Sequence, residues 1–448
     1  VEARGDQMTD EMIVRDPNEL LTYKRFDVVI KYLYACNLSS KYYTSMYYEH
    51  QKRWNGFNQK EPPKHGFDEF DRVFKSIINN TVDEPVPVSN QGHIANGGHR
   101  LAAALYHQRP INTRRTTPEE SYDIIADYEF FLRRNLPRHM FGTTAIEYAK
   151  LKPNSHVICL FPIAHTRIDK VMSIIKKWSN IFYATTEEFN ATGQLGLMKE
   201  LYSAELANQS AWANEEGIKE KGDKCFRGFT KATFLLVDAN KLEDVKQMKA
   251  EIRELFDVGN HSVHVSDFHE DAIRISKTVF NANSIHFLNH RKNNKYKKLT
   301  ELMADMKPDD NKVITGSTVL TMYGLRECGD VDLIYYNDPP ANSHNLYLKT
   351  EDKKGEYNLT VDDIVNNPLF HFYYQGFKYA SLDVVKNMKK ARNEPKDIID
   401  LELIAKVTPM GRSNNIVEIN TPASRAAPNM SAFMEMFRKR GGKVKALR

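Results

Sequence analysis

Three short apolar runs in the middle of the chain constrain its fold more than any other feature. "HVICLFPIA" (156–164), "ATFLLVDA" (232–239) and "HSVHVSD" (261–267) read as buried strands. Each is followed by a segment with apolar residues at three- and four-residue spacing: "TRIDKVMSIIKKW", "LEDVKQMKAEIRELF" and "HEDAIRISKTVFN". Strand then amphipathic helix, repeated, predicts α/β organisation. A chain of 448 residues exceeds what one core usually holds, so an α/β, α+β multidomain protein of about two to four domains is expected. The breaks place N-terminal helices at 1–60, a module at 61–120, a central α/β domain at 121–295, a third block at 296–406 and an extended basic tail at 407–448. Residues 18–60 carry the spacing of two amphipathic helices, and "FDEFDRVFKSIIN" and 121–150 also read as helical.

Composition narrows the function classes. Net charge is only +5, too weak to argue for nucleic acid, although the last eleven residues, "RKRGGKVKALR", hold six basic side chains. No apolar run approaches the roughly 18 to 20 residues of a membrane helix, and the charged first thirty residues do not read as a signal peptide. Cys36, Cys159, Cys225 and Cys328 are far apart with no CxxC pair, which predicts buried thiols in a reducing, cytoplasmic setting.

The stretch "ITGSTVLTMYGLRECGDVDLIYYND" (314–338) carries the chemistry. Side chains alternate along a strand, so Asp330 and Asp332 share one face while Val331 points into the core. Two adjacent carboxylates are costly unless a cation lies between them, and such a pair suits Mg²⁺, completed by water and substrate phosphates. Upstream, Gly316 allows close approach of a phosphate, Ser317 offers a hydroxyl, and a helix expected from Thr318 offers backbone amides. Strand, Gly-Ser, helix and a strand bearing Asp-x-Asp resemble the nucleotidyltransferase superfamily. "GFKYASLDVVKNMKKARNEPKDIIDLELI" (376–404) resembles the helical segment of its minimal, AbiEii-like members, over about 110 residues in all. That resemblance implies metal and catalytic roles for Asp330 and Asp332, nucleotide contacts from Gly316, Ser317 and Lys386 or Lys389, and a second element at Lys396, Asp397 and Asp400. Members of the family bring a third carboxylate from a later strand. The strand expected at "HFYYQGFKYASL" has no acid before Asp383, which leaves Asp383 or an acid elsewhere to supply it.

A second stretch, "VPVSNQGHIANGGHRLAAALYHQRPI" (86–111), reads as strand, turn, Gly-Gly and a helix opening at His99-Arg100. Two glycines before a helix N-terminus make an anion cradle, and an arginine in the first turn clamps phosphate oxygens. The pattern resembles the ParB/sulfiredoxin superfamily over roughly 50 to 60 residues, which implies phosphate contacts from Gly97, Gly98, His99 and Arg100. Asn96 stands where those relatives have aspartate. Gly98 stands where the reductases have cysteine, which excludes their sulfur chemistry.

In "VGNHSVHVSDFHEDAIRIS", His261 and His264 fall on opposite faces, and Asp267 is expected to cap the following helix. His165 and Arg167 occupy a strand-to-helix turn, and "HFLNHRKNNKYKK" (286–298) reads as a basic linker. Together these features favour a Mg²⁺-dependent transferase that uses ATP or CTP and passes a nucleotidyl group to a small-molecule or glycan-precursor acceptor. One alternative is a small-molecule kinase built on the N-terminal module, with the third block as an accessory. The other is a nucleotide-gated binding protein whose basic tail docks an acidic partner or nucleic acid.

Overall fold

The segment after Arg25 is aliphatic on almost every face, so the helix it forms must be enclosed. In the computed structural model, which describes residues 12–54, 72, 84–117, 125–292, 297–336, 347–348 and 357–407, it is enclosed on both sides. The helix expected at "FDEFDRVFKSIIN" lies outside the described residues, Arg72 excepted, as does the tail beyond Val407. The first elements are β1 (Ile13–Arg15), α1 (Phe26–Cys36), α2 (Lys41–Trp54), β2 (Val86–Val88), α3 (Gly98–His107) and β3 (Ile111–Arg115). β3 is the middle of a three-stranded sheet, antiparallel to β1 and parallel to β2. The small side chains Ala102, Ala103 and Ala104 let α3 pack closely on α1.

The central region holds α4 (Arg138–Leu151), β4 (Ser155–Leu160), α5 (Ile168–Trp178), β5 (Asn180–Glu188), α6 (Ala191–Leu201), α7 (Glu215–Phe226), β6 (Lys231–Asp238), α8 (Leu242–Glu254), β7 (Val263–Val265) and α9 (His269–Val279). The strand order is β5-β6-β4-β7, and each neighbouring pair is antiparallel. β4 and β5 therefore run the same way with β6 inserted between them, and β6 and β7 do the same around β4. This is a split βαβ arrangement, with α6 and α7 between its halves. β5 is not evident as an apolar run because it is an edge strand; Phe182 and Tyr183 are buried, and the rest is polar or half-exposed.

The third region holds α10 (Ala282–His290), β8 (Lys312–Thr315), α11 (Gly316–Met322), β9 (Asp332–Tyr335), β10 (Tyr347–Leu348), α12 (Val361–Asn366), β11 (His371–Tyr374), β12 (Phe377–Ala380), α13 (Leu382–Arg392) and α14 (Pro395–Ala405). Its mixed sheet has the order β10-β9-β8-β12-β11. "HFYYQGFKYASL" is a hairpin and not one strand. Gln375 and Gly376 both have positive φ, 49° and 79°, as a two-residue turn between twisted strands requires.

Aromatic packing joins the first two regions and fills the core of the third. The Phe26 ring lies 5.2 Å from Phe182, and Phe182 stacks on Tyr148. Phe287 on α10 stacks 4.6 Å from Phe372 on β11. Buried side chains from all three sheets form one continuous cluster.

Candidate functional site

β8 and β9 pair antiparallel, with Thr315 opposite Asp332. The chain leaves β8 at Gly316, whose φ of +64° belongs to the left-handed region. A methyl group at this position would fall 1.9 Å from Asp332 Oδ2, so the carboxylate sits directly over the glycine. Glycine is needed here for both reasons. The helix α11 begins at Gly316, two residues earlier than expected, and spans seven residues. Thr318 Oγ1 donates to the Asp330 carbonyl at 3.1 Å and fixes the start of the second strand. Val331 is buried at 3 % exposure, while Asp330 is exposed and Asp332 half-buried; β9 begins only at Asp332, so Asp330 lies in the bend before the strand and not on it as expected.

Two carboxylates two residues apart suit a single Mg²⁺ that keeps several waters and takes phosphate oxygens. Among the described residues no third carboxylate, histidine or cysteine joins them as a metal-holding group. Asp383 lies exposed in the first turn of α13, near Tyr323, and does not complete a set of three.

The downstream element divides. α13 packs against α11, the helix that opens at Gly316 and Ser317. Lys386, on α13, is half-buried and forms no ion pair with a described residue. Lys389 is 1 % exposed, with its Nζ 3.2 Å from Asp397 and 2.6 Å from Asp400. Asp400 also accepts from Arg326 Nη2 at 2.8 Å, and Asp397 from Arg392 Nη2 at 2.7 Å. The hydrogen bonds from Arg392 lead the effects that hold the Asp397 carboxyl well below the usual range. Lys389 is thus committed to a buried network that ties the loop before Asp330 to α13 and α14. Arg326, which completes it, carried no signal in the sequence because its partner is 74 residues away.

The Gly-Gly turn is built differently. Gly97 caps α3 with φ +89°, and a methyl group at Gly98 would fall 2.7 Å from Arg25 Nη2, 2.9 Å from Lys31 Nζ and 3.1 Å from Asp27 Oδ2. Arg25, Asp27 and Lys31 form a buried triad: Asp27 accepts from Arg25 Nε at 2.8 Å and from Lys31 Nζ at 2.7 Å. Burial pushes the Asp27 carboxyl up, but the two cations outweigh it and hold the group well below the usual range. His99 bonds the Tyr47 hydroxyl at 2.9 Å, and burial, then the Lys31 charge, push its pKa down to about 2. Its ring is neutral at physiological pH. Arg100 folds back, donating to the Glu84 carbonyl at 2.6 Å. The protein itself supplies the anion beside this helix start.

The other sequence candidates have structural partners. Asp267 does not cap α9, whose N-cap is Phe268; it takes the Lys249 ammonium at 3.0 Å. His269 Nε2 lies 2.7 Å from the Ala149 carbonyl, and His264 is buried with its pKa pushed down to about 3. His165 Nε2 bonds Thr233 Oγ1 at 2.9 Å, and Arg167 donates to the Leu255 carbonyl at 3.0 Å. Part of the "HFLNHRKNNKYKK" run belongs to α10, and residues 293–296 lie outside the described residues. Three thiols are buried as expected, but Cys36 is exposed.

No protein-family model matches the chain, and neither a curated protein nor a solved structure shows significant similarity to it.

Proposed function

We propose that the chain is a Mg²⁺-dependent nucleotidyltransferase that uses ATP or CTP and acts on a small-molecule or glycan-precursor acceptor. The observation that carries this reading is the seat of the Asp332 carboxylate directly over Gly316, at the turn from β8 into α11. A side chain at position 316 would displace the carboxylate; glycine leaves the turn open and the carboxylate at its lip. Asp330 and Asp332 would hold the metal, which when bound neutralises phosphate charge and orients the triphosphate. Gly316 and Ser317 offer backbone and hydroxyl contacts to phosphate oxygens, and Lys386 on the adjoining α13 adds a cation. Lys389, Asp397, Asp400 and Arg326 position the loop that leads into Asp330. The resemblance of this strand–Gly-Ser–helix–strand order to nucleotidyltransferases supports the same reading.

The test compares the wild type with Asp330→Ala/Asp332→Ala and Arg100→Ala. Thermal stabilisation by each of the four NTPs with Mg²⁺ is measured, then pyrophosphate release on adding acceptors. Stabilisation that requires the Asp pair and not Arg100, with pyrophosphate as product, is the expected result. Stabilisation that depends on Arg100 alone would move the chemistry to the N-terminal turn. Nucleotide binding without turnover, with any acceptor, would favour a nucleotide-gated binding protein.

A further inference from the structure

A cavity of about 460 Å³ lies at the seam between α1, α2 and α4 on one side and the third sheet on the other. That volume falls in the range of small-molecule sites, about 300 to 1,000 Å³. It is remote from the Asp pair. Asn311 and Tyr336, which line it, are joined at the far end of the β8–β9 pair by a backbone bond of 2.8 Å. Asp332 lies opposite Thr315, three residues further along β8 than Lys312, or roughly 10 Å at strand rise.

The lining holds two lysines, Lys150 and Lys378, and two carboxylates, Glu147 and Asp310. Asp310 takes Lys150 at 2.9 Å and Lys277, just behind the wall, at 2.8 Å, while Glu147 takes Lys150 at 3.0 Å. Lys378 makes no ion pair with a described residue. Its ammonium donates to two backbone carbonyls, Asp310 at 2.6 Å and Val365 at 2.9 Å, and an ammonium has three N–H groups. The two lining carboxylates are thus taken up by Lys150 and Lys277, which leaves the Lys378 ammonium without direct carboxylate contact among the described residues. Burial, opposed by the Asp310 charge and reinforced by Lys150 and Lys277, pushes the Lys378 pKa down to about 8, so at neutral pH the group is still mostly charged. A buried ammonium with a spare N–H and no carboxylate in direct contact suits an anionic ligand.

The neutral polar groups add a second requirement. Tyr43 and Tyr373 line the cavity, and neither hydroxyl bonds another described residue. His371 places Nδ1 at 3.0 Å from the Ile364 carbonyl, and burial pushes its pKa down to about 3. The ring is therefore neutral with Nδ1 as donor, which leaves Nε2 as an acceptor for a ligand hydroxyl. From the cavity, the unpaired ammonium and these groups, we propose a second binding site here for a small hydroxylated anion, a sugar phosphate or a sugar acid. Lys378 meets the oxyanion, and Tyr43, Tyr373 and His371 meet its hydroxyls. The site stands whether or not the Asp pair transfers nucleotides.

Isothermal titration with a hexose phosphate, gluconate, inorganic phosphate and neutral glucose, each at millimolar concentration, tests this directly. A hexose phosphate or gluconate should bind, and glucose should not; which of the two binds more tightly distinguishes the phosphate from the carboxylate. Lys378→Met should weaken binding by at least about tenfold, the loss of one charge-assisted bond, whereas Asp332→Asn should leave it unchanged. Tyr373→Phe, which keeps the ring, supplies a milder variant should Lys378→Met fail to fold. Cys36 also lines the cavity and is the exposed one of four cysteines, so a bound ligand should slow its modification by methyl methanethiosulfonate. Absence of binding by both hydroxylated anions overturns the proposal. So does binding that neither variant weakens and that leaves Cys36 unprotected.

Discussion

Two glycine turns, each leading into a helix, sit in the first and third regions and manage charge in opposite ways. At Gly316 the acid group stands on the solvent side, with Asp332 over the glycine and Asp330 exposed beside it. At Gly98 the polar groups are internal, because Arg25, Asp27 and Lys31 fill the space that a side chain there would need. The first turn presents its carboxylates toward the solvent. The second is closed by the protein's own ions, with two cations shared by one carboxylate. A glycine-rich turn before a helix is therefore not sufficient to indicate a phosphate site; what surrounds the glycine decides.

The contrast can be broken most sharply at Asp27. Asp27→Asn leaves two buried cations without their carboxylate, and unfolding in denaturant should show a loss of about 3 to 5 kcal/mol. A loss below about 1 kcal/mol, the scale of a surface ion pair, would mean the triad does not close the turn. Next comes the pair Gly316→Ala and Gly97→Ala. Each places a side chain at positive φ and should cost about 1 to 3 kcal/mol. Only Gly316→Ala displaces a site carboxylate, so it alone should lower Mg²⁺-dependent turnover, by about a hundredfold. Equal loss of turnover in both variants would tie the N-terminal turn to the chemistry.

Acid titration sharpens the comparison further. The folded pKa values of Asp27 and Asp310 lie below their unfolded values: burial raises each, and the neighbouring cations lower it by more. Their stabilising contribution is complete above the unfolded pKa of about 4 and is lost as pH falls toward the folded values. Denaturant midpoints should therefore drop below about pH 4, and Asp27→Asn should flatten that drop. The smallest effect is expected at Lys386. Lys386→Ala should raise the nucleotide KM by about tenfold, one charge-assisted contact, without moving Tm. An unchanged KM would remove α13 from the nucleotide site.

The elements with strong local periodicity were legible before any tertiary information. α3 runs from Gly98 to His107 as its Gly-Gly start and apolar stripe predict, and β4, β6 and β7 lie on the three apolar runs. β5 was not, because an edge strand buries too few side chains to make a run. The hairpin at Gln375-Gly376 was signalled by a two-residue turn between aromatic segments, a cue that the continuous reading of the strand passed over. The antiparallel order of the central sheet was out of reach, since strand–helix alternation sets the elements and not which strands pair.

The same division holds at the functional residues. Sequence by itself placed Val331 in the core between the two aspartates, and it is buried; β9 begins only at Asp332, so strand alternation does not extend back to Asp330. Only tertiary structure decided which charges are closed. Lys389 finds Asp397 and Asp400 across a helix pair, Arg326 reaches Asp400 over 74 residues, and the Arg25 triad meets Gly98 from a different element. The physical reason is range. Backbone geometry fixes direction over a few residues, whereas the partner that neutralises a buried charge is chosen by packing between segments far apart in the chain.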